Sequence, residues 1–468
     1  MPDFDILIVG SGPGGYVAAI RAAQLGLKTA VVEKDEIGGV CLNWGCIPSK
    51  ALLHSADLAN AFRRAPDYGI GYDNLRLDLG VAVDRSRSVV AKMVGGVKTL
   101  LEQNKVTVIQ GTAKLAGGTK VNIAPGNHTV EASNLIIATG AATRSLPNVP
   151  VDGDRILTSR EALELREPPA SIVIVGAGPI GVEFGYLYRT YGSEVTLVEL
   201  LDRVLPNEDI DVSRVVDRAF KAQGMTIKTA TKVESVKTGE GGVTVTVSAG
   251  AKREEIAAQR CLIGVGFGPN TEGLGLAEAG IELDRGWVKV DEYARTNLPN
   301  VYAIGDVTGR LLLAHVASHQ GVTAVELIAG GDPPPLDYDK MPRAVYCEPQ
   351  VASLGLTEAQ AKEKGFKVQT GRFPVRANGK ALALGESEGF VKLVVDQDTR
   401  DILGYHIVGP NATEMIAEAS LGSVLETTPS ELGYAVHAHP TISEAVHEAA
   451  LAVRGESIHY YAPLRQPR

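Results

Sequence analysis

The chain has 468 residues, of which 44% are hydrophobic and 22% charged, with a formal net charge of −9. That composition fits a globular protein of roughly three domains with a sizeable core, and its acidic balance excludes the Lys/Arg excess a broad nucleic-acid surface needs. Four cysteines are too few for a secreted disulfide scaffold. No signal peptide is expected, since a strand-like run begins almost at Met1. No apolar stretch reaches the length of a membrane span, and residues 465–468 carry no lipidation signal. These features predict a cytoplasmic protein with neither membrane nor nucleic acid as partner, in a reducing compartment where a close cysteine pair is catalytic rather than structural.

In chain order, residues 4–9 read as a strand, Gly10-Ser11-Gly12-Pro13-Gly14-Gly15 as a turn, residues 16–25 as an Ala-rich helix closed by Gly26, and residues 29–33 as a second strand. The pattern returns with strand 172–175, turn Gly176-Ala177-Gly178-Pro179-Ile180-Gly181, helix 182–191 closed by Gly192, and strand 194–199. In each copy an acidic residue, Glu33 or Glu199, follows the third glycine by 18 positions. Residues 133–140 form a strand ending in Ala138-Thr139-Gly140, and a related run, 261–266, closes the second unit. The Pro-rich stretch 330–335 marks a boundary. Beyond it, strands 391–395 and 402–408 and helices 412–425 and 443–453 predict an α+β C-terminal domain. The expected fold is α/β, with two Rossmann-like dinucleotide-binding domains and an α+β C-terminal domain.

A strand–GxGxxG–helix unit binds a pyrophosphate for steric and electrostatic reasons. The first glycine (Gly10, Gly176) permits the turn. The second (Gly12, Gly178) lets backbone approach phosphate, and the third (Gly15, Gly181) lets helix pack on strand. The helix N-terminus supplies free N–H groups and the positive end of a dipole. The acid at the end of the next strand accepts from ribose hydroxyls, and at Glu199 it would repel a 2′-phosphate, favouring NAD(H) over NADP(H). One such fingerprint is weak evidence; two complete units imply two dinucleotides and electron transfer between them.

Cys41 and Cys46 have four residues between them in Cys41-Leu42-Asn43-Trp44-Gly45-Cys46. Such a pair can close a short, reducible disulfide. Zinc would need four ligands, and His54 is the only further candidate nearby. A third alternative is two inert buried cysteines. Near the C-terminus, His437-Ala438-His439-Pro440-Thr441-Ile442-Ser443-Glu444 combines imidazoles with a carboxylate that could orient one of them as a base.

Taken together, the segment 40–50, both fingerprints, Ala138-Thr139-Gly140 and Asn300-Val301-Tyr302-Ala303-Ile304-Gly305-Asp306 resemble the pyridine nucleotide–disulfide oxidoreductase family over nearly the whole chain. The resemblance implies FAD and NAD as cofactors and a homodimer. It makes Cys41 the interchange thiol and Cys46 the thiolate against the flavin. Lys50, near the flavin, is paired with Glu183, and His439 is the base oriented by Glu444, with His437 structural. It places Gly10, Gly12, Gly15, Glu33, Lys34, Lys50, Ala113, Thr139, Gly140, Asp306, Ala314 and His315 at FAD, and Gly176, Gly178, Gly181, Glu199, Val233 and Gly266 at NAD. No metal site is implied.

Within the family, Ile47-Pro48-Ser49-Lys50 and the His437–Pro440 run are most similar to the branch that oxidises dihydrolipoamide on the lipoyl domains of 2-oxo acid dehydrogenase complexes or on a glycine-cleavage carrier. Glutathione-type reductases prefer NADP(H), and mercuric reductases add a C-terminal cysteine pair, whereas the last cysteine here is Cys347. A flavoprotein NADH oxidase or transhydrogenase would leave the cysteines idle. Phe267-Gly268 and Val316 depart from the family pattern, which often has arginine and lysine there. The expected domains are 1–145 with 271–335 for FAD, 146–270 for NAD, and 336–468 for the interface.

Overall fold

An unbroken apolar run such as Phe4–Val9 suits a strand covered on both faces. In the computed structural model, which describes residues 1–126, 128–147 and 149–461, this strand lies mid-sheet between Thr29–Glu33 and His128–Ile137, all parallel. Thr107–Gln110 flanks the first neighbour and Val301–Ala303 the second. Ile6, Leu7 and Ile8 are fully buried. Residues 465–468, on which the lipidation reading falls, lie outside the described residues.

The second copy repeats the arrangement. Ser171–Val175 lies between Glu194–Val198 and Arg260–Ile263, with Thr226–Lys228 and Ile156–Leu157 at the edges. Each parallel sheet is joined by a three-stranded antiparallel meander: Thr112–Gly117, Lys120–Ala124 and His128–Ile137 in the first, Lys232–Gly239, Gly242–Ala249 and Lys252–Ala258 in the second. The C-terminal part is a five-stranded antiparallel sheet, ordered Arg343–Val345, Gln350–Gly355, Ile402–Gly409, Phe390–Asp396, Val368–Pro374. Helices Ala412–Val424 and Glu444–Val453 cover it. This is the expected α/β architecture with an α+β C-terminal part.

Some element ends differ from expectation. The fingerprint helices start earlier, at Pro13 and Pro179, because proline's fixed φ and missing N–H suit the first helical position. The strands expected over 133–140 and 261–266 end at Ile137 and Ile263, where the chain leaves the sheet through Gly140 (φ +70°) and Gly266 (φ +95°). The redox segment is helical on both sides of a break at Gly45: Gly39–Trp44, then Cys46–Arg64. Among the described residues no helix is long and apolar enough to cross a membrane.

Candidate active site

Each glycine of the two turns is fixed by a different neighbour. Gly10 and Gly176 have φ of +105° and +99°, and a Cβ there would lie 2.3 Å and 2.4 Å from the carbonyl oxygens of Ala138 and Gly264. A Cβ on Gly15 or Gly181 would lie 1.9 Å or 1.8 Å from the carbonyl oxygen of Gly10 or Gly176. Around Gly12 and Gly178 a Cβ would meet nothing within 4 Å. The first and third glycines are therefore demanded by the protein's own packing. The second leaves bare backbone facing open space at a helix N-terminus, a cradle that fits a pyrophosphate.

The acids do more than the sequence foretold. Glu33 Oε2 accepts from Ser11 N (2.8 Å) and Ser11 Oγ (2.6 Å), and Oε1 from Asp35 N (2.8 Å). Glu199 repeats this with Ala177 N (2.7 Å) and Leu201 N (2.9 Å). Each carboxylate clamps the residue between the first two glycines, and its remaining lone pairs are left to accept ribose hydroxyls. Lys34 is exposed just after Glu33, Ala113 is buried opposite Ile123, and Val233 follows closely on Thr231, whose N–H donates to Glu199 O.

Asp306 sits in a 3-10 turn, Gly305–Thr308, directly after strand Val301–Ala303. Burial pushes its pKa up to about 6. Its side chain has no hydrogen-bond partner among the described residues, which fits a carboxylate that accepts from a cofactor hydroxyl. Thr139 and Gly140 are stapled to Asn270 by three hydrogen bonds of 2.8–3.0 Å. Ala314 opens helix Ala314–Ile328, and His315 Nε2 lies 2.8 Å from Pro342 O. Val316, where the family often has lysine, is buried in the core beside Ile304, so an apolar side chain suits it. At the other departure a guanidinium is still at hand: Arg144, across the two-stranded ladder, lies 3.4 Å from a Cβ built on Gly268.

Cys41, on helix Gly39–Trp44, and Cys46, at the start of helix Cys46–Arg64, are both free thiols here. The two thiols act on each other's acidity. Cys46, then burial, raises Cys41; Cys41 lowers Cys46, and Lys50 lowers it further against the cost of burial. Lys50 Nζ lies 3.0 Å and 2.9 Å from the two Glu183 oxygens. Burial works against its charge, but Glu183 outweighs that and raises its pKa. Glu183 also accepts from Tyr346 N (3.0 Å), and Lys50 Nζ stands 4.7 Å over the Tyr346 ring. The pair is thus assembled from three distant parts of the chain.

Sequence reasoning missed the residues that hold the redox segment. Arg87 Nη2 donates to Asn43 O (2.7 Å), Asn43 Nδ2 donates to the Ile37 and Gly39 carbonyls, and Arg160 stacks 3.9 Å from the Trp44 ring centre. His439 Nδ1 lies 2.9 Å from Glu444 Oε1, while Glu444 Oε2 accepts from Thr441 N (2.8 Å). His439 is 79% exposed, and no hydrogen bond joins it to Cys41 or Cys46 within the chain, among the described residues. His437 has its own partner, Glu418, at 2.9 Å. No group of three or more His, Cys, Asp or Glu side chains is gathered as a metal ion would require, among the described residues.

Known proteins resemble this chain over nearly its whole length. The profile of the pyridine nucleotide-disulphide oxidoreductases matches residues 4–321, and that of the family's dimerisation domain matches residues 341–450. The chain belongs to this family. FAD and NAD(H) are the family's cofactors, and the two glycine cradles fit them. Among its relatives are the dihydrolipoyl dehydrogenases of Bacillus subtilis, 44% identical over 98% of this chain and 99% of that one, and of Mycobacterium tuberculosis, 48% identical over 98% and 100%. Similar solved structures include LpdA from Mycobacterium tuberculosis (32% identity, TM-score 0.88, covering 95% of this chain and 98% of that one). Another is the HOCl-induced flavoprotein disulfide reductase RclA from Escherichia coli (28% identity, TM-score 0.84, covering 95% and 98%).

Proposed function

We propose that this family member oxidises protein-bound dihydrolipoamide to lipoamide and reduces NAD+, as a homodimer in the cytoplasm. The observation that carries the reading is the geometry of the redox segment: Cys41 and Cys46 on adjoining helices either side of Gly45, with Lys50 one helical turn after Cys46 and paired to Glu183. Cys41 exchanges with the substrate sulfur and Cys46 holds negative charge, which Lys50 stabilises. His439, held by Glu444, takes the proton from the attacking thiol. FAD, in the cradle of Gly10, Gly12 and Gly15 with Glu33 and Asp306, supplies the relay of two electrons from the dithiol to the nicotinamide. Glu199 selects NAD+ by accepting from its ribose.

In this reading the flavin domain is 1–145 with 271–335, the NAD domain 146–270 and the interface domain 336–468. The pairing of Val301–Ala303 with His128–Ile137 supports the return of the chain to the first domain. The exposed apolar residues Leu421, Val424, Leu425, Tyr434 and Val436, beside His439, support a dimer face. The carrier of the substrate is a lipoyl domain on another chain. Steady-state rates with dihydrolipoamide, glutathione disulfide and Hg(II), each with NAD(H) and NADP(H), test the reading. Turnover of dihydrolipoamide with NAD+ should exceed all other combinations; preference for either of the other substrates overturns it.

A further inference from the structure

The two strand–turn–helix units differ in what closes the turn. In each copy the residue between the first two glycines is gripped on both sides. Its N–H donates to the acid, Ser11 N to Glu33 and Ala177 N to Glu199. Its carbonyl accepts from a segment further on: Ser11 O from Gly38 N (3.0 Å), Ala177 O from Leu205 N (2.8 Å). In the first copy that segment runs straight into the redox helix Gly39–Trp44. In the second it runs into Asp209, which caps helix Ile210–Ala222. The closing residue there has an unfavourable backbone, since Leu205 is buried with φ +45°. A residue with a bulky side chain stays in the left-handed region only where its surroundings fix it. Leu205 O accepts from Glu208 N (2.9 Å) and from Ser213 Oγ (3.3 Å).

The far end of this segment is bolted to the C-terminal sheet. Lys392, on strand Phe390–Asp396, is 3% exposed. Its Nζ lies 3.0 Å from Asp209 Oδ1, 2.9 Å from Asp211 Oδ2 and 2.8 Å from Glu358 Oε2. Asp209, 1% exposed, also accepts from Asp211 N (3.0 Å) on Oδ1 and from Glu358 N (3.2 Å) on Oδ2. Burial works against the ammonium, but the three carboxylates outweigh it and hold its pKa up. Adhesion alone does not call for this arrangement, because apolar side chains of similar volume often hold two surfaces together as well as a buried ion cluster does. Ion pairs add direction: they fix Asp209 in one place. From there the contacts run on in sequence. Ser213 N donates to Asp209 O (3.1 Å), Ser213 Oγ to Leu205 O, Leu205 N to Ala177 O, and Ala177 N to Glu199. They end beside Gly178, the bare backbone of the second cradle.

We propose that Lys392 is a positioning residue for NAD+: through Asp209, Ser213 and Leu205 it sets turn 176–181 and Glu199 in the shape that binds the dinucleotide. The proposal rests on the NAD+ reading of that turn. A residue of the C-terminal sheet thereby sets affinity at a cradle built by another part of the chain. Without the ammonium, three carboxylates stand together unbalanced. The start of helix Ile210–Ala222 moves, Ser213 moves with it, and Leu205 loses its hold on Ala177.

Titration calorimetry of NAD+ into the oxidised, flavin-loaded protein tests this without turnover. Lys392→Met removes the charge from an unbranched side chain; its Kd for NAD+ should rise by about fivefold or more, the low end of coupling between separate sites. Ser213→Ala removes one hydroxyl from the middle of the path and no charge. Its Kd should rise by about twofold or more, the low end for a hydrogen bond. The double variant should bind no worse than Lys392→Met alone, because both cut the same path. Flavin content and the long-wavelength absorbance of the two-electron-reduced protein should match the wild type in all three. A role confined to stability would lower the Tm and leave the Kd alone, so a Kd within about twofold of wild type in Lys392→Met overturns the proposal. An unchanged Kd in Ser213→Ala also overturns it, and decides the matter if Lys392→Met yields no soluble protein. So does loss of flavin in step with loss of NAD+ affinity. Gly178→Ala is measured first. If its Kd for NAD+ is unchanged, the second turn is not the NAD+ site, and that reading falls together with this proposal. If Gly178→Ala weakens NAD+ binding and Lys392→Met does not, this proposal alone falls.

Discussion

The neighbouring Cys41 thiol and the Lys50 ammonium hold the Cys46 thiol below its usual range, against the cost of burial. A lowered pKa means that the thiolate, and any long-wavelength absorbance it gives against oxidised flavin, persists as pH falls until that pKa is crossed. Lys50→Met removes the cation, so the absorbance should disappear at higher pH than in the wild type. Cys46→Ser should abolish it at every pH. A pH titration of the two-electron-reduced proteins reads both outcomes, and an unshifted midpoint in Lys50→Met would refute the role given to Lys50. Asp306 has the opposite sign. Its pKa, raised to about 6, means that the folded state binds the proton more tightly than the unfolded chain. Its contribution to stability is therefore greatest below the ordinary value of 3.8 and is lost as pH rises through about 6. At pH 7 the flavin-free protein carries a penalty on the order of 3 kcal/mol for the buried charge. Asp306→Asn should raise the Tm of flavin-free protein at pH 7 and weaken flavin binding. A variant whose flavin-free form melts lower, or which binds flavin as tightly as before, contradicts this account.

At the level of the element, the two strand–turn–helix units separate what the fold needs from what the ligand needs. Gly12→Ala and Gly178→Ala add a Cβ with nothing within 4 Å, so both proteins should fold. Gly12→Ala should lose flavin during purification. Gly178→Ala should stay yellow while its KM for NAD+ rises by about tenfold or more, the cost of roughly 1.4 kcal/mol of lost contact. Gly15→Ala and Gly181→Ala drive a Cβ to within 2 Å of a backbone oxygen and should give little soluble protein; flavin content and solubility measured side by side decide it. These units were legible in the sequence because their chemistry is local: three glycines and an acid at fixed offsets. The clamp on the redox segment was not, because Arg87–Asn43 and Arg160–Trp44 join residues whose proximity depends on helix packing. For the same reason Lys50–Glu183 was visible only through the family pattern, and singly the two residues read as surface charges. Glu199 stands out in the sequence as an acid in register, but its grip on Ala177 N appears only once the turn is closed.

At the scale of the whole molecule, the surroundings of His439 point to a second subunit. Its imidazole is 79% exposed, and its carboxylate partner, Glu444, opens the helix that follows it, so the pair is complete within one chain and open to solvent. The apolar residues around it, Val436 at 98% exposure and Tyr434 at 77%, are poorly suited to water and well suited to a second copy. If the copies pair isologously, Cys41 of one subunit works with His439 of the other, and two equivalent sites form. Cys41→Ser and His439→Ala homodimers should then each be nearly inactive. A co-expressed heterodimer of the two holds one site with both lesions and one site with none. Random pairing makes about half of the dimers mixed, so about a quarter of wild-type sites should be intact in the mixture. A purified, differentially tagged heterodimer should show about half of wild-type activity. Were His439 to serve its own chain, every site would carry one lesion, and the tagged heterodimer would be as inactive as its parents. Co-expression is required because subunits of an interface large enough to complete an active site exchange slowly once assembled.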